Sequence, residues 1–200
     1  MQRTVENAKN LSGSISPPGD KSISHRSAIL NSIATGSAKV SNFCVGDDRN
    51  SILSCLRGLG ARISQTSPKN TTGPEEIFRI DGCGSDGLSE PLNVLNAGNS
   101  GTTIRLISGL LAAQPFFSVI TGDDSLRKRP MKRITKPLIL MGSRISGRQN
   151  GSLAPLSISG GNLSGINYEM PVASAQLKSA ILLAGMHAKS KTTILQPSKS

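Results

Sequence analysis

Ser27-Ala28-Ile29-Leu30, Thr103-Ile104-Arg105-Leu106 and Ser179-Ala180-Ile181-Leu182 stand 76 residues apart in this chain. Each lies in a run whose apolar positions recur near i, i+3, i+4 and i+7, which predicts a helix. The same step carries Gly46-Asp47-Asp48 onto Gly122-Asp123-Asp124. Working outward, each helical run follows a small, polar turn: Asp20-Lys21-Ser22, Asn96-Ala97-Gly98, then Val172-Ala173-Ser174. A β-rich stretch comes after each helix, at 38–45, 116–121 and 192–195. In the first two copies Gly-Asp-Asp follows, then a second amphipathic helix. A Gly-x-Arg-Ile turn then enters another strand, at Gly60-Ala61-Arg62-Ile63 and Gly142-Ser143-Arg144-Ile145.

The expected fold class is therefore α/β (α+β), with pseudo-threefold repeats of a βαβαββ-type unit. The repeats fall at about 20–95, 96–170 and 171–200, the third incomplete. A step of 76 residues is longer than a solenoid turn and suits a folded subdomain. The third copy lacks the Gly-Asp-Asp step, the second helix and the closing strand, which would leave an apolar helix face uncovered. The chain is thus read as a fragment: 20–200 form one domain, and 1–19 form an N-terminal segment packing with a second domain absent from the sequence. Connectors at 65–76 and 149–154 are read as loops inside units.

With hydrophobic residues at 36% and only Phe43, Phe78, Phe116, Phe117 and Tyr168 aromatic, the core must be aliphatic. The net charge of +11 favours anionic partners: nucleic acid, acidic membrane, or phosphorylated and carboxylated metabolites. The densest basic run, Arg127-Lys128-Arg129-Pro130-Met131-Lys132-Arg133, has no interleaved aromatics, so base stacking is poorly supported. Cys44, Cys55 and Cys83 show no C-x-x-C spacing, and His25 and His187 lie far apart. Neither a disulfide framework nor a metal site follows, and a reducing compartment fits best. The N-terminus has no apolar signal region. The longest apolar run, 104–113, is interrupted and too short to span a membrane.

Four segments could hold an anion. Gly19-Asp20-Lys21-Ser22-Ile23-Ser24-His25-Arg26 opens the first helix, with Ser22 and Arg26 on one face. A hydroxyl, an ammonium and a guanidinium suit phosphate or carboxylate, although a soluble surface helix would look similar. Asn96-Ala97-Gly98-Asn99-Ser100-Gly101-Thr102 opens the second; its glycines let backbone approach an anion, as they would in a plain structural turn. Ser174-Ala175-Gln176 opens the third, with Ser174 aligned to Ser22 by the repeat and Gln176 to Ser24 and Ser100. There small and amide side chains suit hydroxyls or phosphate, while a capping box is the plainer reading. Finally, Arg127, Lys128 and Arg129 precede Pro130, read as the first residue of a helix over 131–141. Cations at a helix start oppose its dipole unless an anion sits nearby.

Together these segments resemble the EPSP synthase family of enolpyruvyl transferases. The resemblance rests on Gly19–Arg26, on Gly98-Asn99-Ser100-Gly101-Thr102-Thr103-Ile104-Arg105-Leu106, on Leu126-Arg127-Lys128-Arg129-Pro130-Met131, and on Pro171-Val172-Ala173-Ser174-Ala175-Gln176-Leu177-Lys178-Ser179-Ala180. It covers nearly the whole chain, in order. It implies that phosphoenolpyruvate and shikimate 3-phosphate bind between two domains. The shikimate 5-hydroxyl attacks C2 of the enolpyruvyl group, and a tetrahedral intermediate then loses phosphate. No metal or organic cofactor is implied.

By matching position, Lys21 would contact both substrates, and Ser22 and Arg26 would hold shikimate 3-phosphate. Gly101 and Arg129 would hold phosphoenolpyruvate, with Asn99 and Thr102 lining the same loop. Ser174 and Gln176 would bind shikimate 3-phosphate. Ala175 replaces the second serine of many members, so only its backbone could serve. Ser198 matches a further shikimate-phosphate ligand weakly. The acid–base residues, a second lysine and further arginines belong to the other half of the enzyme, so the chain alone is expected to bind substrate without turning it over. The resemblance further implies a cytoplasmic protein, monomeric when full length, with no nucleic-acid or membrane partner. Two other readings stay open at this point: the sister transferase acting on UDP-N-acetylglucosamine, and a basic nucleic-acid-binding module.

Overall fold

A computed structural model describes residues 4, 7, 9–15, 17–66 and 76–198. Most of the connector expected at 65–76, and parts of the segment 1–19, lie outside the described residues.

The first unit runs α1 (Lys21–Ile33), β1 (Thr35–Ser41), α2 (Asp47–Gly58), β2 (Arg62–Thr66) and β3 (Ile77–Cys83). The second runs β4 (Leu95–Asn96), α3 (Gly101–Ala113), β5 (Phe117–Thr121), a 3₁₀ turn (Leu126–Lys128), α4 (Lys132–Leu140) and β6 (Arg144–Gly147). It closes with the one-turn element α5 (Arg148–Gly151), where Gln149 and Asn150 are left-handed, and β7 (Leu153–Ser159). The third runs β8 (Asn167–Glu169), α6 (Ala175–Gly185) and β9 (Thr193–Leu195).

Each unit contributes one sheet. In order these are β1-β3-β2, β4-β5-β7-β6 and β8-β9. β4 runs parallel to β5, as β8 does to β9, and the remaining neighbours are antiparallel. The middle sheet contains both partial patterns: β5-β7-β6 repeats β1-β3-β2, and β4-β5 repeats β8-β9. The unit read from sequence is thus complete in the second copy, apart from the added turn α5. Register follows side-chain alternation: Phe78 and Ile80 of β3, and Ala154, Leu156 and Ile158 of β7, face the core.

The helix α3 is the hub. Every residue except Arg105 is buried, as expected of a helix apolar on all sides. It packs most extensively on α6 and also touches α1, α2 and α4. At the α3–α6 crossing a Cβ on Gly109 would stand 2.3 Å from the Ala180 carbonyl oxygen, so only glycine permits this approach. One cluster joins the first two units around Ile29, Leu56, Ile104 and Leu156; it is not wholly aliphatic as expected, since Phe43 and Phe78 pack in it against each other. A second, around Ile134, Leu138, Leu177 and Ile181, joins α4 to α6. Leu182 of α6 and Met186 at its C-terminal cap remain exposed.

Three expectations need correction. The helix caps are Asp20, Ser100 and Ser174, so the helices repeat at steps of 80 and 74 residues, not 76 twice. The slips are four residues, about one helical turn, which apolar periodicity conceals, and two residues in the opposite sense, which it does not. Ser174 is therefore equivalent to Asp20 and Ser100, and Gln176 to Ser22 and Thr102. Pro130 is not the first residue of α4. The 3₁₀ turn ends at Lys128, Arg129 and Pro130 are extended or irregular, and Met131 is the cap. The first β-rich stretch is also shifted: β1 ends at Ser41, where Asn42 adopts a left-handed conformation (φ 49°).

Candidate functional site

In each of the three helices the cap side chain accepts from the N–H three residues on. Asp20 takes Ile23 N–H at 2.7 Å, Ser100 takes Thr103 N–H at 3.1 Å, and Ser174 takes Leu177 N–H at 3.3 Å. The first two N–H groups of each helix are left without an intrahelical acceptor. Seven of the candidate residues occupy these matching places: Lys21, Gly101 and Ala175 at the first helical position, Ser22, Thr102 and Gln176 at the second, and Ser174 at a cap.

Side chains tie the three starts together. The Arg26 guanidinium spans from α1 to α6, where Nε and Nη2 donate to the Ser179 hydroxyl at 3.1 and 2.8 Å. Its Nη1 donates to the Ser22 carbonyl at 3.1 Å. Between α3 and α6, Arg105 Nη1 donates to Gln176 Oε1 at 2.7 Å, and Gln176 Nε2 donates to the Thr102 hydroxyl at 3.0 Å. The Gln176 carboxamide is thereby oriented by a guanidinium at one end and a hydroxyl at the other.

Cations gather at the start of α3. A Cβ on Gly101 would lie 2.7 Å from Arg105 Nη1 and 3.3 Å from Arg129 Nη1, so the absent side chain makes room for both guanidinium groups. Burial first, then the charges of Arg129 and Arg133, pulls the Arg105 pKa below the ordinary arginine value. Two guanidinium groups beside a helix N-terminus form a field suited to an anion. Arg129 also donates to Asn99 Oδ1. Asn99 Nδ2 in turn donates to Asp123 Oδ2 at 2.6 Å. This contact first, then the Leu126 N–H, holds the Asp123 carboxyl below the usual carboxylate range.

At the start of α1, Lys21 Nζ pairs with Asp48 of α2 at 2.9 Å. His25 lies buried beneath, its Nδ1 2.7 Å from the Lys21 carbonyl oxygen. Burial lowers its pKa. Cys55 is buried against α2's own core, which pushes its thiol up to about 12.

The network described by these contacts does not reach Ser198, which is exposed beyond β9. Conversely, Arg105, Arg133, Ser179, Asp48 and Asp123 were not among the candidates from sequence. Arg105 was legible in principle, because it lies within the quoted Gly98–Leu106 segment. Ser179 and Arg133 also lie in quoted segments, and Asp48 and Asp123 in the Gly-Asp-Asp step, but their partners are set by contacts between elements. Among the described residues no three His, Cys, Asp or Glu side chains form a metal-ligand group, and no helix is long and apolar enough to cross a membrane.

Three equivalent helix starts, linked by buried and half-buried polar side chains, and the arginines clustered beside them define an α/β protein of repeated units with a positively charged face. A family model described as EPSP synthase (3-phosphoshikimate 1-carboxyvinyltransferase) matches residues 5–200, and the chain belongs to that family. It is 53% identical over 196 residues to the 3-phosphoshikimate 1-carboxyvinyltransferase of Pelotomaculum thermopropionicum, covering 98% of this chain and 44% of that protein. With the Bacillus subtilis relative of the same name it shares 49% identity over 195 residues, again 98% of this chain and 44% of the relative. The solved EPSP synthase from Acinetobacter baumannii superposes with a TM-score of 0.86 at 47% identity, over 94% of this chain and 41% of that structure's chain. The chain thus spans under half the length of these relatives.

Proposed function

We propose that this chain forms one side of an enolpyruvyl-transfer site, in which the 5-hydroxyl of shikimate 3-phosphate attacks C2 of phosphoenolpyruvate. The hydroxyl gives up its proton to a base as the new C–O bond converts C2 to a tetrahedral centre and C3 takes a proton. Loss of a C3 proton and cleavage of the C2–O bond to phosphate then yield the enolpyruvyl ether and inorganic phosphate. Both substrates are multiply anionic, and the alignment of three open helix starts with Arg26, Arg105 and Arg129 supports this reading best.

In it, Ser22, Arg26, Ser174, the backbone of Ala175, and Gln176 hold shikimate 3-phosphate. Gly101 and Arg129 hold phosphoenolpyruvate, with Asn99 and Thr102 beside them, and Lys21 serves both. Ser198 is a weaker candidate for the first substrate. Fixed cations and helix dipoles stabilise charge as it moves onto the leaving phosphate. The proton-transfer groups come from the part of the relatives that this chain does not match, so the chain by itself binds without turnover. The setting is aromatic amino-acid biosynthesis in a cytoplasm.

Calorimetry with shikimate 3-phosphate, with and without phosphoenolpyruvate, tests this. Saturable binding of shikimate 3-phosphate is expected, with no phosphate released. Equal, strongly salt-dependent binding of any polyanion, nucleic acid included, would overturn it.

A further inference from the structure

The twice-repeated Gly-Asp-Asp step supplies two carboxylates to the site, Asp48 beside Lys21 and Asp123 beside Asn99. We propose that it is a positioning bracket: each copy supplies a carboxylate that aims one cation at a helix start. Asp48 acts directly on Lys21, and Asp123 acts on Arg129 through Asn99. The inference rests on reading those helix starts as an anion cradle.

In the first copy, Asp48 lies in the opening turn of α2, where the helix dipole favours a carboxylate. From there it meets the Lys21 ammonium at 2.9 Å, although 53% of the lysine side chain is exposed. A four-bond side chain at that exposure would otherwise sample many rotamers.

The second copy is more constrained. Both Asp123 oxygens are engaged: Oδ1 takes the Leu126 N–H at 2.7 Å, and Oδ2 takes the Asn99 amide at 2.6 Å. The Asp123 N–H donates to the Gly98 carbonyl at 2.9 Å, so this turn and the loop before α3 are joined by backbone as well. The Asn99 carboxamide therefore sits between opposite charges, its NH₂ toward Asp123 and its oxygen toward Arg129. Turning it over would set oxygen against carboxylate and NH₂ against guanidinium. Asp123 thus decides which way Asn99 faces, and Asn99 decides where Arg129 points. Arg129 stands beside Gly101 at the start of α3. Asp124, by contrast, is 85% exposed and pairs with Arg127.

The sign of a neutralising substitution separates positioning from bulk charge. Asp48→Asn and Asp123→Asn each add one unit of positive charge, which by long-range attraction alone would tighten anion binding. A bracket predicts the reverse. Shikimate 3-phosphate and inorganic phosphate would be titrated calorimetrically into the chain and into D48N, D123N and D124N, alongside a crystal structure of D123N. The expected result is affinity weakened about three- to tenfold in D48N and D123N, as for loss of one pre-ordered side chain, with D124N unchanged. In the D123N crystal Arg129 should leave Gly101. Equal or tighter affinity in D48N and D123N overturns the bracket, as does an unmoved Arg129. If the unsubstituted chain fails to bind either anion, the cradle reading falls, and the position of Arg129 in D123N decides the bracket alone.

Discussion

Arg26 and Ser179 join the first and third repeats: one guanidinium donates twice to one hydroxyl, at 3.1 and 2.8 Å, across the gap between α1 and α6. Because the same guanidinium also donates to the Ser22 carbonyl, it is aimed before any ligand arrives.

Replacing Arg26 by Ala should therefore cost more than one charge. It removes a guanidinium expected on the phosphate and also releases α6 from α1. Loss of about 2 kcal/mol, roughly thirtyfold in Kd for shikimate 3-phosphate, is expected by calorimetry. Ser179→Ala, which leaves the charge in place, should lose much less. Equal losses would place the whole effect in the inter-helix link.

Gly101→Ala tests the space beside α3. The new Cβ would lie 2.7 Å from Arg105 Nη1 and 3.3 Å from Arg129 Nη1, and both are ends of flexible side chains. The guanidinium groups should move and the fold should not. Affinity for phosphoenolpyruvate, measured with shikimate 3-phosphate present, should fall on the order of tenfold or more from misplacement alone. The thermal midpoint should stay close to that of the parent chain.

Gly109→Ala should do the opposite. Its Cβ would meet backbone, the Ala180 carbonyl oxygen at 2.3 Å, so α3 and α6 must separate. Overpacking of this kind costs about 1–3 kcal/mol. The urea midpoint should drop with an unchanged slope, the sign of altered stability without altered denatured-state compactness.

His25 predicts a pH dependence. Burial lowers its pKa in the folded chain below the ordinary value of 6.5. Above that value it is neutral whether folded or unfolded, and it contributes no pH dependence. As pH falls below it, the unfolded chain takes up a proton that the folded chain resists, so stability declines. The melting temperature should fall as pH drops below about 6.5. His25→Asn, which can still donate to the Lys21 carbonyl, should flatten that part of the profile.

Much of this architecture was readable from sequence because its signals are local. The apolar recurrence around Thr103–Leu106 predicts a helix, and α3 is one, though its burial on nearly every side exceeds that one-faced pattern. Gly-x-Arg-Ile marked two turns, and Gly60 and Gly142 both have positive φ there. Equivalence among the helix starts was only partly legible. The 76-residue step matched apolar letters, whereas the caps are fixed by hydrogen bonds that connectors of unequal length displace. Hence Ser174 was paired with Ser22 instead of Asp20. Sheet order was not readable either: β4 has two residues, too few to show alternation, and its parallel partner β5 is set by the α3 crossover. Asp48, Asp123 and Ser179 gain meaning only from partners 24 to 153 residues away, which no local pattern encodes.

The burial of α3 has a kinetic consequence. The helix whose first turn forms part of the proposed anion site is also the centre of the core, so its amides should exchange with solvent only when the domain opens globally. A cradle on such a helix cannot wait for its ligand to be shaped. Association should then proceed in a single step at a rate set by encounter and charge, with no slower ordering phase from this side of the cleft.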